Sequence, residues 1–130
     1  MILLDTHVVI WLAKDYERIS AAARSAIEVA RKKERGLAVA GITLFEIALL
    51  ASRGRINLTP DVGTMLLEAE RRFVVLPLTA NIALQAFELP VGYPKDPVDR
   101  IIGATSLVED IPLVTADAAI RKSRGVPTIW

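Results

Sequence analysis

The sequence predicts an α/β protein, a three-layer α/β/α sandwich with a central parallel sheet of four to five strands. Three observations support this fold class. Short apolar runs recur along the chain, and residues that start or end helices separate them. Continuous apolar runs are typical of strands covered on both faces, and their alternation with helices indicates parallel strands joined by crossovers. With 130 residues, the chain has room for one domain, residues 1–130.

In the first half of the chain, residues that cap helices and glycines that end them mark the boundaries. Ser20 and Thr43 are the predicted N-caps, and Gly36 and Gly54 the predicted helix ends. The elements expected in order are a strand at Ile2–Leu4, a helix from Thr6 through Leu12, a helix from Ser20 to about Lys33, a strand at Leu37–Ala40 and a helix from Thr43 to about Arg53.

In the second half, Thr59-Pro60 and Asp96-Pro97 each join a capping residue to a proline, which is favoured at the first helical position. Residues 90–97 contain three prolines and a glycine and are expected to form a loop. The elements expected in order are a helix from Thr59 to about Arg72, a strand at Phe73–Leu76, a helix from Thr79 to about Glu88, a helix from Asp96 to about Glu109, a strand at Leu113–Thr115, a helical turn or two at Ala116–Lys122 and a fifth strand at Thr128–Trp130.

Composition excludes several classes of protein. There are no cysteines, which excludes disulfides and thiolate metal sites. The net charge of +1 provides no global field that would attract nucleic acid. Charges interrupt every apolar stretch before it could span a membrane. The start of the chain lacks the basic segment of a signal peptide, so we expect a cytoplasmic protein.

The hydrophobic content of 52% is high for a small domain and points to buried helices or a subunit interface. The helix that contains Leu44–Ala51 is apolar nearly all round except at Glu46. Such a helix has to be buried on more than one side, and the sheet covers one. We therefore expect a homodimer.

Four carboxylates lie in largely apolar surroundings. Asp5, Glu46 and Asp117 are each the only charged side chain of an apolar segment, and Asp99, with Arg100 beside it, opens an apolar helix. Asp5 ends the first predicted strand and Asp117 follows the fourth, whereas Glu46 and Asp99 each lie three residues after a predicted cap. Because helix starts meet the carboxyl ends of parallel strands, all four are expected at one sheet edge, where open α/β sheets bind ligands.

Converging carboxylates repel one another unless they are protonated or neutralised by a cation. Oxygen ligands without cysteine or clustered histidine suit Mg²⁺ or Mn²⁺. A purely structural explanation exists for Glu46 and Asp99, since Thr43-x-x-Glu46 is a capping-box sequence and Asp96-x-x-Asp99 resembles one, but not for Asp5. Four caps at the same edge would be an unusual coincidence, so the sequence favours a metal site.

These residues lie in segments that resemble the PIN-domain nucleases, and among them the VapC-type toxins of toxin–antitoxin pairs. The similar segments are LLDTHVVIWL at 3–12, ITLFEIALL at 42–50, KDPVDRIIGATS at 95–106 and LVTAD at 113–117. Their order and spacing cover nearly the whole chain. The resemblance implies a parallel sheet between helices, in agreement with the pattern of elements.

The resemblance also implies an activity, a cofactor and partners. It implies a divalent-metal-dependent endoribonuclease whose acidic quartet falls on the four isolated carboxylates, as catalytic and metal-binding residues. Thr6 and Thr115 correspond to the small hydroxyl residues that flank the first and last acids, and Asp96 to a neighbouring supporting acid. Implied partners are an RNA substrate, a cognate antitoxin and a second copy of the chain.

Because the net charge is near neutral, cations near the acids are needed to bind phosphate. The candidates are Arg53, Arg55, Lys95, Arg100, Arg121, Lys122 and Arg124. His7, the sole histidine, is a candidate general base, although an oxygen-ligand metal site does not require one.

Other functions use a similar carboxylate edge. A phosphohydrolase with an aspartyl nucleophile needs D-x-D after the first strand, but residue 7 is histidine. A receiver domain needs an acidic pair after the first strand and a late lysine in positions that this chain does not match. The remaining alternative is a PIN-like RNA-binding or RNA-processing module without a toxin role.

Overall fold

The central sheet consists of five parallel strands in the order β3-β2-β1-β4-β5 within the described residues, 1–57 and 61–130, of a computed structural model. The strands are β1 (Ile2–Leu4), β2 (Leu37–Ala40), β3 (Val74–Leu76), β4 (Leu113–Val114) and β5 (Thr128–Ile129). The helices are α1 (Thr6–Lys14), α2 (Ala21–Arg31), α3 (Gly41–Ser52), α4 (Val62–Arg72), α5 (Ala80–Glu88), α6 (Pro97–Glu109) and α7 (Ala118–Ser123), with a 3-10 turn at Tyr16–Arg18. The predicted fold class is confirmed.

Side-chain alternation along the buried strands creates the two outer layers. On β1, Leu4 packs with residues of α1, α2 and α3, whereas Leu3 packs with Ile102 of α6 and Ile120 of α7. Successive side chains of a strand point to opposite faces, so an apolar run without polar interruptions supplies two cores at once. Helix α5 then packs on α6 through a smaller cluster around Ile82 and Ala104.

Most of the predicted caps and strands agree with the structure. Ser20, Thr79 and Asp96 each accept a hydrogen bond from the first turn of the helix that they precede. Gly54 has a φ of +66° just after α3, as expected of a helix end. The predicted Thr59-Pro60 start lies outside the described residues. Asp61 is the N-cap of α4 and accepts a hydrogen bond from the Thr64 N–H at 2.9 Å.

Two sequence predictions about helix ends were wrong. Thr43 does not cap α3, because β2 leads directly into a helix that begins at Gly41, and Ala40 occupies the cap position without a side-chain bond. Gly36 does not end α2 either, because that helix stops at Arg31. A side chain at Gly36 would collide with the carbonyl oxygen of Ala30, so glycine is required there by the close approach of the turn before β2 to the end of α2.

The prediction that a second subunit covers α3 assumed that only the sheet packs against this helix, and that assumption was wrong. Within the chain, α1, α4 and α6 all pack against α3, in addition to the sheet. Phe45 is its exposed large side chain, at 58%. A larger unburied apolar surface lies on α5, where Leu84 and Phe87 are 59% and 88% exposed. None of the described helices is long and apolar enough to cross a membrane.

Candidate active site

The carboxyl ends of β1 and β4 bring Asp5 and Asp117 side by side. The two strands are neighbours, and the backbone N–H of Asp5 donates to the carbonyl of Val114 at 3.0 Å. Thr115 connects the two acids. Its hydroxyl donates to Asp5 Oδ2 at 2.6 Å and accepts from the N–H of Asp117 at 3.1 Å. Asp117 also caps α7, because its Oδ1 accepts from the N–H of Ile120 at 3.0 Å.

Asp5 is held on both of its carboxylate oxygens and is only 7% exposed. Its Oδ1 accepts from the N–H of Thr6 at 2.8 Å, opposite the bond from Thr115. The Thr6 hydroxyl lies 3.3 Å from that of Thr43 and links α1 to α3. Burial raises the pKa of Asp5 despite these hydrogen bonds, because desolvation disfavours the charged form more than two donors favour it. The carboxylate is therefore rigid and electrostatically unfavourable without a cation.

Glu46 of α3 and Asp99 of α6 line the same cleft, whose volume is about 880 Å³. Burial raises the pKa of Asp99 to about 7, and the negative charges of Asp5 and Asp96 add to the shift. Burial likewise raises the pKa of Glu46, with a further contribution from Asp5. The structure thus brings the four isolated carboxylates to one cleft, and mutual repulsion acts among them.

Asp96 supports the site by positioning the start of α6. Its Oδ1 accepts from the N–H groups of Val98 at 2.9 Å and Asp99 at 3.1 Å, which fixes the first turn. The buried Tyr93 hydroxyl donates to the carbonyl of Asp99 at 2.9 Å. Gly103 leaves the space for this ring, because a side chain there would collide with the Tyr93 hydroxyl.

The oxygen ligands of the cleft fit a divalent ion that keeps several waters better than an ion enclosed by protein ligands alone. Among the described residues, no three aspartate, glutamate or histidine side chains stand close enough together to enclose a metal. Mg²⁺ commonly binds through one or two carboxylates and keeps several waters or phosphate oxygens. Oxygen-only donors, a rigid Asp5 and three carboxyls with raised pKa values suit such an ion.

The cations predicted from sequence divide into two groups. Arg53 and Arg55 line the cleft. Arg100 does not face it: its guanidinium donates to the carbonyls of Ala86 at 2.9 Å, Pro94 at 3.2 Å and Leu89 at 3.3 Å. Arg100 therefore ties the end of α5 and the loop after it to α6, contrary to its predicted contact with phosphate. The others lie elsewhere, Lys95 beside α5 and Arg121, Lys122 and Arg124 on the exposed end of α7.

Part of the cleft lining was not predicted from the sequence. Besides His7, it contains Trp11, Lys14 and Arg18. The Arg18 guanidinium lies 4.5 Å from the centre of the Trp11 ring, and the His7 and Trp11 rings are 6.0 Å apart. His7, Trp11 and Lys14 lie on one face of α1, and their spacing of four and three residues is the sequence signal for that face, whereas Arg18 comes from the 3-10 turn that follows.

Comparison with protein families matches residues 2–125 to the PIN domain. The chain is 39% identical to ribonuclease VapC22 of Mycobacterium tuberculosis over 131 residues, which covers 99% of this chain and 98% of that protein. Its fold is similar to VapBC2 from Rickettsia felis bound to a promoter DNA fragment, with a TM-score of 0.72 at 16% identity, covering 98% of this chain and 97% of that one. DNA-bound VapBC from Salmonella typhimurium also gives 0.72, at 20% identity and the same coverage.

The raised pKa of Asp99 predicts that the metal-free protein loses stability as pH rises. A carboxyl with a pKa of 3.8 when unfolded and about 7 when folded stabilises the fold fully below pH 3.8, and this contribution is lost as pH rises through 7. Asp99→Asn should therefore stabilise the protein at pH 8 by about 1–2 kcal/mol, allowing for solvent screening of this half-exposed group.

Denaturant unfolding of both proteins between pH 4 and pH 8 in EDTA measures this effect. Glu109→Gln, at the exposed end of the same helix, is the control and should unfold with the pH dependence of the wild type. If Asp99→Asn and wild type show parallel pH profiles, the electrostatic description of the cleft is wrong.

Proposed function

Because this chain belongs to the PIN-domain family and, within it, to the VapC ribonuclease group, we propose that it is a divalent-metal-dependent endoribonuclease and the toxin of a toxin–antitoxin pair. Residues 1–130 would act as one PIN-like domain in the cytoplasm. The observation that carries the proposal is the presence of Asp5, Glu46, Asp99 and Asp117 in one cleft. The burial of Asp5 and the raised pKa values of Asp5, Glu46 and Asp99 give a divalent cation a reason to bind.

The residues of the cleft have distinct roles in this proposal. Asp5, fixed by Thr6 and Thr115, is the best direct metal ligand, and Asp99, Asp117 and Glu46 complete the site directly or through water. The bound Mg²⁺ or Mn²⁺ would polarise the scissile phosphate and provide a nucleophile at neutral pH. Arg53 and Arg55, with Lys14 and Arg18 in the same cleft, would hold the phosphates next to the cleaved bond.

A cognate antitoxin would inhibit the enzyme by filling the same cleft. Uncompensated carboxylates attract a guanidinium, which binds carboxylates through two parallel hydrogen bonds. Apolar side chains beside the acids, Ile10, Leu49 and Leu50, would receive apolar anchors of the inhibitor. We expect an extended or helical segment that places an arginine or lysine near Asp5 and Asp99. The resemblance to proteins solved as VapBC supports such a partner.

The proposed homodimer would use the outer face of α5 instead of α3. This face presents Leu78, Leu84 and Phe87, and an apolar groove beside it is about 530 Å³ in volume. An exposed apolar surface of this kind is unusual on a monomer and marks an interaction site. A two-fold axis through α5 would bury the same surface of both copies.

Asp5→Asn should abolish RNA cleavage in Mg²⁺ or Mn²⁺. Asparagine is isosteric and can accept from the N–H of Thr6 while its amide donates to the Thr115 oxygen, so the fold should remain intact. We expect at least a 100-fold loss of rate on single-stranded RNA, with an unchanged far-UV spectrum, since removing a metal-site carboxylate removes the metal's contribution to catalysis. Asp110→Asn, outside the cleft, should keep full activity.

The same pair of variants tests the toxin role in cells. Expression of the wild type should arrest growth, Asp5→Asn should not, and co-expression with an adjacent small gene should relieve the arrest and yield a complex. Full activity of Asp5→Asn in vitro, or wild-type cleavage that EDTA does not reduce, would contradict the nuclease mechanism. Cleavage in vitro without growth arrest or a binding partner would contradict the toxin role alone.

Phe87→Glu should convert the proposed dimer into a monomer, because it places a charge on the most exposed apolar side chain of α5. Sedimentation velocity at micromolar concentration measures the mass. Phe45→Glu, an equivalent change at the exposed aromatic residue of α3, is the matched control and should leave the dimer intact. A monomeric wild type, or dissociation by Phe45→Glu and not by Phe87→Glu, would refute the proposed interface.

A further inference from the structure

A groove rich in arginine and lysine lies at the amino-terminal edge of the sheet, at the opposite end of the strands from the acidic cleft. We call it the basic groove. It has a volume of about 490 Å³ and lies where β2 and β3 begin. Among the described residues, no carboxylate lines it. Its five cationic side chains come from the end of α2, the turn after it and the end of α4: Arg31, Lys33, Arg35, Arg71 and Arg72.

Part of this positive charge is not neutralised locally. Arg31 pairs with Glu28 at 2.8 Å, and Glu68 is shared by Arg71 at 3.4 Å and Arg72 at 3.1 Å. Within residues 1–57 and 61–130, no salt bridge involves Lys33 or Arg35. One glutamate cannot neutralise two arginines, and all of these pairs are solvent-exposed and weak. The groove therefore keeps a net positive charge.

Backbone hydrogen bonds fix the turn that carries Lys33 and Arg35. Its backbone is held by hydrogen bonds from the Lys33 N–H to the Ala30 carbonyl at 3.0 Å and from the Gly36 N–H to the Lys33 carbonyl at 3.1 Å. Arg35 adopts a left-handed φ of 58°, an uncommon conformation for a residue other than glycine. The charges are consequently presented from a fixed backbone, which reduces the entropy lost when a ligand binds.

The acidic cleft itself is a poor source of affinity for RNA. Six carboxylates line it against four lysine and arginine side chains: Asp5, Asp15, Glu46, Asp96, Asp99 and Asp117 against Lys14, Arg18, Arg53 and Arg55. Even a bound divalent ion would only balance this excess. Because the chain's net charge is +1, the positive charge that attracts a polyanion has to lie elsewhere on the surface.

We propose that the basic groove is a second RNA-binding site, which binds the phosphate backbone of the substrate at a distance from the cleaved bond. This inference rests on the proposed ribonuclease function. A single small anion would bind weakly to such exposed cations, because salt screens each contact, whereas a polyanion makes several contacts at once. The four residues of β2 span about 13 Å. An RNA that occupies both sites must therefore extend several nucleotides beyond the cleft.

The test compares two double variants that remove the same charge. Lys33→Gln with Arg35→Asn removes the two groove cations without a salt bridge, and asparagine tolerates the left-handed φ at 35. Lys32→Gln with Arg124→Asn is the matched control, because Lys32 neighbours the groove without lining it and Arg124 has a φ of 55° elsewhere on the surface. Both are combined with Asp5→Asn, and fluorescence anisotropy measures binding of a 20-nucleotide and a 4-nucleotide RNA in Mg²⁺.

The groove variant should bind the long RNA about 3- to 10-fold more weakly than the control, with a slope of log affinity against log salt smaller by about 1.4, at about 0.7 per phosphate contact. Binding of the short RNA should not change. Equal binding of the long RNA by the two variants would overturn the inference, and so would a groove variant that loses antitoxin binding and not RNA binding. If one of these results is found and the wild type still cleaves RNA, the groove inference fails and the proposed nuclease function stands. If wild type neither binds nor cleaves RNA, both proposals fail.

Discussion

The burial of Asp5 at the carboxyl end of β1 is the constraint on which the rest of the site depends. A carboxylate at 7% exposure is stable only if its oxygens are occupied. The first turn of α1 provides one donor and Thr115 provides the other, so the β1–β4 pairing and the start of α1 are both fixed around this group. Two hydrogen bonds do not fully offset desolvation, and the remaining electrostatic cost is what a bound cation would remove.

The charge of this protein is separated along the strands. Carboxylates collect where strands end and helices begin, and cations collect where β2 and β3 begin. A net charge of +1 conceals this separation. For an enzyme acting on a polyanion the arrangement is useful, since a metal site must concentrate acids and a phosphate backbone must be held by cations. With the two at opposite ends of a short sheet, one small domain would bind the metal at one end and the phosphate backbone at the other.

The sequence predicted the parts of the structure that depend on local rules. Asp96-Pro97 located the start of α6 and thereby the edge at which Asp99 lies. The isolation of Asp5 from other charges indicated its burial. Long-range contacts could not be predicted in this way. The role of Arg100 depends on carbonyls at the end of α5 and in the loop after it. The requirement for Gly36 depends on how the turn before β2 folds back on the end of α2, and the basic groove combines two segments that are far apart in sequence. The prediction that Thr43 caps α3 was wrong because its hydroxyl faces Thr6 inside the core.

Proton release on metal binding measures directly whether a divalent cation relieves carboxylates that burial and repulsion destabilise. Calorimetric titration of Mn²⁺ into the metal-free protein, in two buffers of different ionisation heat, counts the protons released. With the pKa of Asp99 at about 7, binding at pH 6 should release close to one proton per ion, because the cation favours the ionised form. Release should fall towards zero at pH 8.5 and be smaller in Asp99→Asn. Binding heats at pH 6 that do not depend on the buffer, or no binding at any pH, would contradict the proposal that a bound cation relieves these carboxylates.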